Sequence, residues 1–165
     1  SRLRAAFFFW RNYLLYNTES RKKLTKTILL DTNVYLTDPQ SLFSYGRRNI
    51  AIPTIVLDEI DKHKHRQDTA GLNARTMNRI LDKMRNKGSL FSGVPLGSGK
   101  GKVFAAQYDP RYMPAGMETG DSDNKIIAIA LRLKMEGHGI AVISRDLNMR
   151  VKCDSFGIAT SSRVY

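Results

Sequence analysis

Residues 27–33 have the sequence Thr-Ile-Leu-Leu-Asp-Thr-Asn, an apolar run that ends abruptly at an aspartate. A short continuous apolar run bounded by polar residues is typical of a strand buried on both faces of a parallel sheet. Ligands of open α/β sheets bind just beyond the carboxyl ends of such strands, and Asp31 would lie at that position. Aspartate also caps the turn after a strand. Asp31 therefore has two interpretations, a helix cap or a functional carboxylate.

The composition excludes several classes of protein. No apolar run approaches the roughly 20 residues that cross a bilayer, so we expect no membrane span. The single cysteine, Cys153, excludes an internal disulfide and offers no zinc framework, which is typical of a reducing compartment and predicts a cytoplasmic location. The length of 165 residues indicates one globular domain, and the formal charge of +12 favours a polyanion such as nucleic acid as partner. A merely solvated basic surface is the alternative.

The first 25 residues differ from the rest of the chain. They combine an aromatic cluster at Phe7–Trp10 with many Lys and Arg residues. The segment could be an amphipathic helix that packs on a neighbour, a membrane-surface or nucleic-acid arm, or sequence added for expression. We therefore predict two regions, a basic and aromatic arm at residues 1–25 and a domain at residues 26–165.

Strand and helix patterns alternate after the arm. The extended segments are predicted at 27–31, 50–52, 140–143 and 158–159, with two more around Leu90-Phe91 and Val103-Phe104 that flank a flexible basic loop. The helices are predicted at 41–45, 54–63, 68–87, from 121 to about 136, and from after 146 to about 156. This alternation predicts an α/β fold with a parallel sheet covered by helices on both faces.

Acidic residues fall where the predicted strands end and helices begin. Asp31 and Asp146 follow strands, Asp123 begins a helix, and Glu59 reaches the same sheet edge if its helix crosses that edge. Clustered carboxylates raise one another's pKa unless a cation lies between them. Oxygen ligands without Cys or His favour magnesium or manganese over zinc, and such a site in a basic protein suits phosphodiester hydrolysis. Helix-terminal charges and an ordinary surface acid are the structural alternatives.

Four segments resemble, in order, the acidic motifs of the PIN-domain nucleases: residues 29–33, 52–61, 123–128 and 142–150. The resemblance covers about residues 26–165 and is strongest to the PIN domain found ahead of PhoH-type ATPase domains. It implies a three-layer α/β/α sandwich around a parallel sheet. It also implies a ribonuclease that cleaves single-stranded RNA with a water activated by carboxylate-held Mg²⁺ or Mn²⁺.

The resemblance also assigns roles by position. It implies four catalytic metal ligands and one additional acid, namely Asp31, Glu59, Asp123 and Asp146, and then Asp121. It implies small polar residues that assist the site, Asn33 and Ser144, and basic residues that contact RNA phosphates, Arg145 and Arg150, of which Arg150 could instead pair with a site carboxylate. The basic loop adds two RNA-binding candidates, Lys100 and Lys102.

Partners and alternatives stay open at this point. Single-stranded RNA is the expected substrate, and a homo-oligomer is a further expectation. The given sequence contains no Walker motif, so it is either a domain excised from a protein with a PhoH-type ATPase domain or a free-standing protein; such an ATPase domain is a further expected partner. The alternative functions are a PIN-like module that binds RNA or protein without cutting, a toxin-type ribonuclease controlled by an antitoxin, and a structure-specific DNA nuclease.

Overall fold

The structure is a computed structural model that describes residues 26–162, so the arm predicted at residues 1–25 lies outside the described part. Six strands form one sheet: β1 (Thr27–Leu30), β2 (Asn49–Pro53), β3 (Val94–Pro95), β4 (Lys102–Ala106), β5 (Ile140–Ile143) and β6 (Ala159–Ser161). Five α-helices surround it: α1 (Thr32–Thr37), α2 (Thr54–His63), α3 (Thr69–Lys87), α4 (Ser122–Met135) and α5 (Leu147–Ser155). Two 3₁₀ turns, Pro39–Phe43 and Pro110–Tyr112, complete the described elements.

The strand order β3-β4-β2-β1-β5-β6 fixes where a ligand would bind. All neighbouring strands are parallel except β3 and β4. The chain moves from β1 toward β4 in its first half and from β5 to β6 in its second. Because such crossovers are right-handed, the helices of the two halves cover opposite faces of the sheet. The predicted α/β sandwich is therefore confirmed, and its topological switch point lies between β1 and β5.

The apolar patterns place the core as predicted. All four residues of β1 and all four of β5 are buried, which explains their continuous apolar sequence. In α4 the stripe Ile126, Ile129 and Leu133 is buried against the sheet. No helix of the described part is both long and apolar enough to cross a membrane.

Two predicted segments near the surface differ from the structure. The short helix predicted at 41–45 is a 3₁₀ turn at Pro39–Phe43, because Pro39 occupies its first position and the Asp38 side chain accepts a hydrogen bond from Gln40 N at 2.9 Å. The last strand is Ala159–Ser161 rather than 158–159.

The extended segment predicted at Leu90-Phe91 is a turn. Its amide groups bond back to Ser89, from Gly93 N to Ser89 O at 2.9 Å and from Phe91 N to Ser89 Oγ at 3.2 Å. The strand β3 begins three residues after Phe91, where buried Val94 pairs with Val103 of β4.

Candidate active site

Asp31 lies at the switch point between β1 and β5. Its amide donates to Ile143 O at 3.0 Å, and its side chain is 7% exposed. Oδ1 of Asp31 accepts from Thr32 N, and Oδ2 accepts from the Ser144 hydroxyl, each at 2.8 Å. The same hydroxyl oxygen accepts a hydrogen bond from Asp146 N at 3.1 Å. Fully buried Ser144 therefore joins the ends of two neighbouring strands and fixes the Asp31 carboxylate.

Glu59 reaches this edge from helix α2. Thr32 Oγ1 donates to its Oε2 at 2.8 Å, which joins α2 to the residue after Asp31. The other carboxylate oxygen, Oε1, is buried and has no hydrogen-bond partner among residues 26–162. A buried acceptor without a donor is unfavourable, so this oxygen is suited to a cation.

Three of the acids cap helices that begin at this edge. The side chain of Asp31 caps α1, that of Asp121 caps α4 through Asn124 N at 3.0 Å, and that of Asp146 caps α5 through Asn148 N at 2.9 Å. The capping interpretation therefore holds for these acids. It does not exclude a second role, because the partial positive charge of the helix N-termini also reduces repulsion among carboxylates gathered there.

The pKa of Asp31 shows how closely the acids lie. Burial is the largest influence and raises this pKa above its usual value, and the hydrogen bonds from Ser144 and Thr32 lower it. The negative charges of Glu59 and Asp146 raise it further. These acids come from α2 and from the loop after β5, so residues far apart in sequence act on one carboxylate.

Asp123 lies in the first turn of α4 and is half-buried. Burial raises its pKa to about 6, and the charges of Asp31, Asp121 and Asp146 raise it as well, while Lys152 lowers it. Burial and the neighbouring negative charges therefore both disfavour the ionised form of Asp123.

Two residues at the site were absent from the sequence prediction. Thr32 orients Glu59, and Lys152 Nζ donates to Asn124 Oδ1 at 3.1 Å beside Asp123. The partners of these contacts are 27 and 28 residues apart in sequence. No local pattern indicates such pairs; only the position of Thr32 directly after Asp31 offers a signal.

Lys100 and Lys102 lie elsewhere. They occupy the amino end of β4, whereas the acids gather at the carboxyl ends of the strands, about 15 Å away along a strand of this length. Lys100 Nζ donates to Phe43 O at 2.8 Å and lies 5.5 Å from the centre of the Phe43 ring. The structure thus does not bring these two lysines to the acidic edge.

The remaining predicted residues, Asn33, Arg145 and Arg150, lie in the first turns of α1 and α5 or directly before α5. Asn33 is exposed, and its backbone oxygen accepts from the Thr37 hydroxyl at 2.7 Å. Arg145 is exposed beside Asp146, and Arg150 is half-buried in α5. In the described part of the chain neither arginine forms an ion pair with a carboxylate. The predicted alternative of an ion pair at Arg150 is therefore not seen there.

The carboxylate oxygens at this edge are the type of ligand that a hard divalent cation prefers. In the described part of the chain, these carboxylates have no imidazole nearby, and no donor there bonds to Glu59 Oε1. Among residues 26–162, however, no three His, Cys, Asp or Glu side chains converge closely enough to hold a metal ion. A cation would therefore have to draw these side chains together.

The PIN domain family model matches residues 28–163 of this chain. The chain belongs to the PIN-domain family. PIN domains are nuclease-type domains that generally use divalent metal ions, in agreement with the oxygen donors at the acidic edge.

Curated relatives are similar along most of this PIN domain. Three of them are named Protein PhoH2. The Thermobispora bispora protein is 36% identical over 86% of this chain, the Bacillus subtilis protein 34% over 82%, and the Mycolicibacterium smegmatis protein 30% over 84%. The aligned region is 32% of each relative, so the chain spans about a third of their length. A domain of a functionally unknown protein from Methanocaldococcus jannaschii superposes with a TM-score of 0.49 at 16% identity, over 82% of this chain and 89% of that one.

Proposed function

We propose that this PIN domain is an endoribonuclease that cleaves single-stranded RNA with Mg²⁺ or Mn²⁺. The observation that supports this best is the buried Oε1 of Glu59, which has no hydrogen-bond partner among residues 26–162. The other oxygen, Oε2, accepts from Thr32 Oγ1, and the Thr32 amide donates to the Asp31 carboxylate. Protein structures rarely leave a buried carboxylate oxygen without a donor, and a cation would satisfy it.

The residues that would hold the metal are the acids of the edge, namely Asp31, Glu59, Asp123 and Asp146, with Asp121 as a further acid. When bound, a divalent metal would activate a water molecule and stabilise negative charge on the phosphodiester. Burial is the main reason that the pKa values of Asp31 and Asp123 are raised, and the positive charge of the metal would offset the repulsion among carboxylates that raises them further.

The other residues of the edge position these acids. Ser144 holds the Asp31 carboxylate in one orientation, and Thr32 does the same for Glu59. Exposed Arg145 lies next to Asp146, where it could contact the phosphate that follows the cleaved bond. The net charge of +12 would attract the RNA at a distance.

The test is cleavage of a labelled single-stranded RNA with Mn²⁺ or Mg²⁺, beside EDTA and beside DNA of the same sequence. Two variants remove charge while keeping shape, Asp31→Asn and Glu59→Gln. In Asp31→Asn, the amide oxygen can still accept from Thr32 N and the amide nitrogen can donate to Ser144 Oγ. Asp61→Asn is the control, because exposed Asp61 lies on the same helix as Glu59 and pairs with Lys64 at 3.0 Å.

We expect metal-dependent cleavage of RNA that both site variants lose and the control keeps. Cleavage that survives both substitutions would show that the reaction occurs at another site or in a contaminant. Cleavage of DNA in preference to RNA would replace the proposed substrate.

The second candidate is a module that binds RNA without cutting it. It is favoured by the absence, among the described residues, of three acids that converge on a metal position. RNA binding with no cleavage in any divalent metal would select this candidate.

A PhoH-type ATPase partner belongs to the same proposal. The relatives named Protein PhoH2 extend well beyond the region that this chain matches, which spans about a third of their length. An effect of ATP on cleavage, measured after adding a PhoH-type ATPase domain, would support such a partner.

A further inference from the structure

Phe91 is the most exposed large apolar side chain of the described residues. It lies in the turn between α3 and β3 and is 94% exposed. An aromatic ring in water loses the favourable free energy of burial, so such a position is uncommon for a residue of this size. Phe91 therefore presents an open aromatic face to solvent.

Hydrogen bonds fix the backbone of the turn that bears Phe91. Two hydrogen bonds to Ser89 close it, and Ala105 N donates to Leu90 O at 2.9 Å, which attaches the turn to β4. Ala105 is one residue from the end of β4. Phe91 thus follows a residue that lies near the carboxyl edge of the sheet, the edge where the acids gather.

Positive charge lies along the same edge. Lys125 Nζ lies 5.6 Å from the centre of the Tyr108 ring, which joins the loop after β4 to the helix that bears Asp123. Lys102 does not add to this charge, because it lies at the amino end of β4, where its aliphatic stem is next to Gly93.

We propose that Phe91 stacks on a base of the bound single-stranded RNA, upstream or downstream of the cleaved bond. This inference deepens the proposed function, because it names how the strand is held beside the acidic edge. Stacking on an exposed ring with cations nearby is a common way to bind single strands without sequence preference.

The strand order gives the distance between the Phe91 turn and Asp31. Leu90 borders β4 on the side away from β2, and β1 is the next strand after β2. Three strand spacings of about 4.8 Å separate the turn from the strand that ends at Asp31, or about 14 Å in all. The stacked base would therefore not be the one at the cleaved phosphodiester, and Lys125 would face the phosphates between them.

A nucleic-acid base fits this ring better than an apolar protein surface does. The other large exposed apolar residues of the described part lie on helices, namely Leu72, Met135, Leu147 and Val151. A protein interface usually requires a contiguous apolar patch, whereas one flat base needs one flat ring.

The experiment measures binding in EDTA of a fluorescent oligouridine of about 10 nucleotides, a length within the range of single-strand sites. The variants are Phe91→Ala, Phe91→Leu and Phe91→Tyr, and Met135→Ala is the matched control because Met135 is also exposed, at 75%. A duplex RNA of the same length is the second probe, because its bases are already stacked. Because Phe91 is on the surface, thermal unfolding should be the same for all variants.

We expect Phe91→Ala and Phe91→Leu to weaken oligouridine binding by about 5-fold to about 100-fold, the usual range for losing one stacked base. Phe91→Tyr should bind as the wild type does, since it keeps the ring. Duplex binding should change little, and the slope of affinity against salt should stay constant because Phe91 is uncharged.

Equal binding by the wild type and Phe91→Ala would overturn the inference, as would full binding by Phe91→Leu, which would indicate an ordinary apolar contact. An equal loss on duplex RNA, or no oligouridine binding by the wild type, would also overturn it. Cleavage is absent from this assay, so its outcome is separate from that of the proposed function. Binding that depends on Phe91 without any metal-dependent cleavage would refute only the nuclease, and cleavage with binding independent of Phe91 would refute only the stacking.

Discussion

Removing the negative charge of Asp123 should stabilise the metal-free protein at neutral pH. This carboxyl is held among Asp31, Asp121 and Asp146, and its pKa is raised to about 6 from the ordinary 3.8. The folded protein therefore binds the proton of Asp123 more tightly than the unfolded chain does. Between these two values the stability must fall as the pH rises. Asp123→Asn removes this loss.

The size of the effect follows from the pKa difference. A rise of about 2 units corresponds to about 3 kcal/mol of unfavourable free energy in the ionised state. Asp123 is only half-buried, so solvent screens part of this, and we expect a gain of about 1–2 kcal/mol. For a domain of this size that is about 3–8 °C in melting temperature.

The assay is urea or thermal unfolding in EDTA from pH 3.5 to 8, with wild type and Asp123→Asn side by side. Below about pH 4 the free energies of unfolding of the two proteins should change with pH in the same way. The difference between them should grow up to about pH 6 and stay constant above it. Asp109→Asn is the control, because the guanidinium of Arg111 lowers the pKa of Asp109 and its substitution should give no gain. Saturating Mn²⁺ should reverse the order at pH 7.5, since a ligand that binds the folded wild type stabilises it.

The reasoning would be refuted by Asp123→Asn unfolding at the same or lower urea concentration than wild type in EDTA at pH 8. That result would mean that neither burial nor the neighbouring carboxylates disfavour the ionised form of Asp123 in the folded protein. A gain that persists unchanged at pH 3.5 would contradict the electrostatic cause, because the carboxyl is then protonated in the folded protein and mostly protonated in the unfolded chain.

Substitutions at three further positions test the contacts of the fold and site. Thr32→Val should lower Mn²⁺ affinity or the cleavage rate about 10-fold to about 100-fold, because it removes the hydroxyl that orients Glu59. Thr32→Ser keeps the hydroxyl and should keep the wild-type Mn²⁺ affinity; Mn²⁺ titration of both variants measures the difference. Ser144→Ala leaves Oδ2 of buried Asp31 without its donor and should lower the free energy of unfolding by about 1–3 kcal/mol in urea, and unchanged stability would contradict that hydrogen bond. Gly101→Ala should also lower the free energy of unfolding by about 1–3 kcal/mol, because its Cβ would lie 2.2 Å from a backbone oxygen of the turn before β2. A variant as stable as the wild type would show that this turn can move.

Local sequence patterns were sufficient to predict the strands and helices that the hydrophobic core determines. The apolar run of β1 and the stripe of α4 predicted buried elements, and both are buried. The turn at Leu90-Phe91 was missed because two apolar residues in sequence resemble a strand, whereas backbone bonds to Ser89 determine their conformation. Long-range pairing determines what local patterns cannot show.

The candidate site also has features that the sequence predicts and features that it does not. The acidic edge follows from strand ends and helix starts, which the sequence marks with Asp31 and Asp146. The positioning contacts do not, because Thr32 meets Glu59 across 27 residues. The RNA-binding role of Lys100 stays a prediction: a basic loop indicates charge without indicating at which sheet edge that charge lies, and Lys100 lies away from the acidic edge.

Capping and metal binding are compatible roles at this edge because both require an acid at the same place. At a switch point, strands end and helices begin together, so an acid there meets free helix amides and the other strand-end acids at once. Asp121 and Asp146 each accept their capping bond on one oxygen, Oδ1. Capping explains these two acids, but it explains neither the raised pKa of Asp123 nor the unpartnered Oε1 of Glu59. The stability of Asp123→Asn and Glu59→Gln with and without Mn²⁺ therefore separates the roles: acids kept only for structure would respond alike in both conditions.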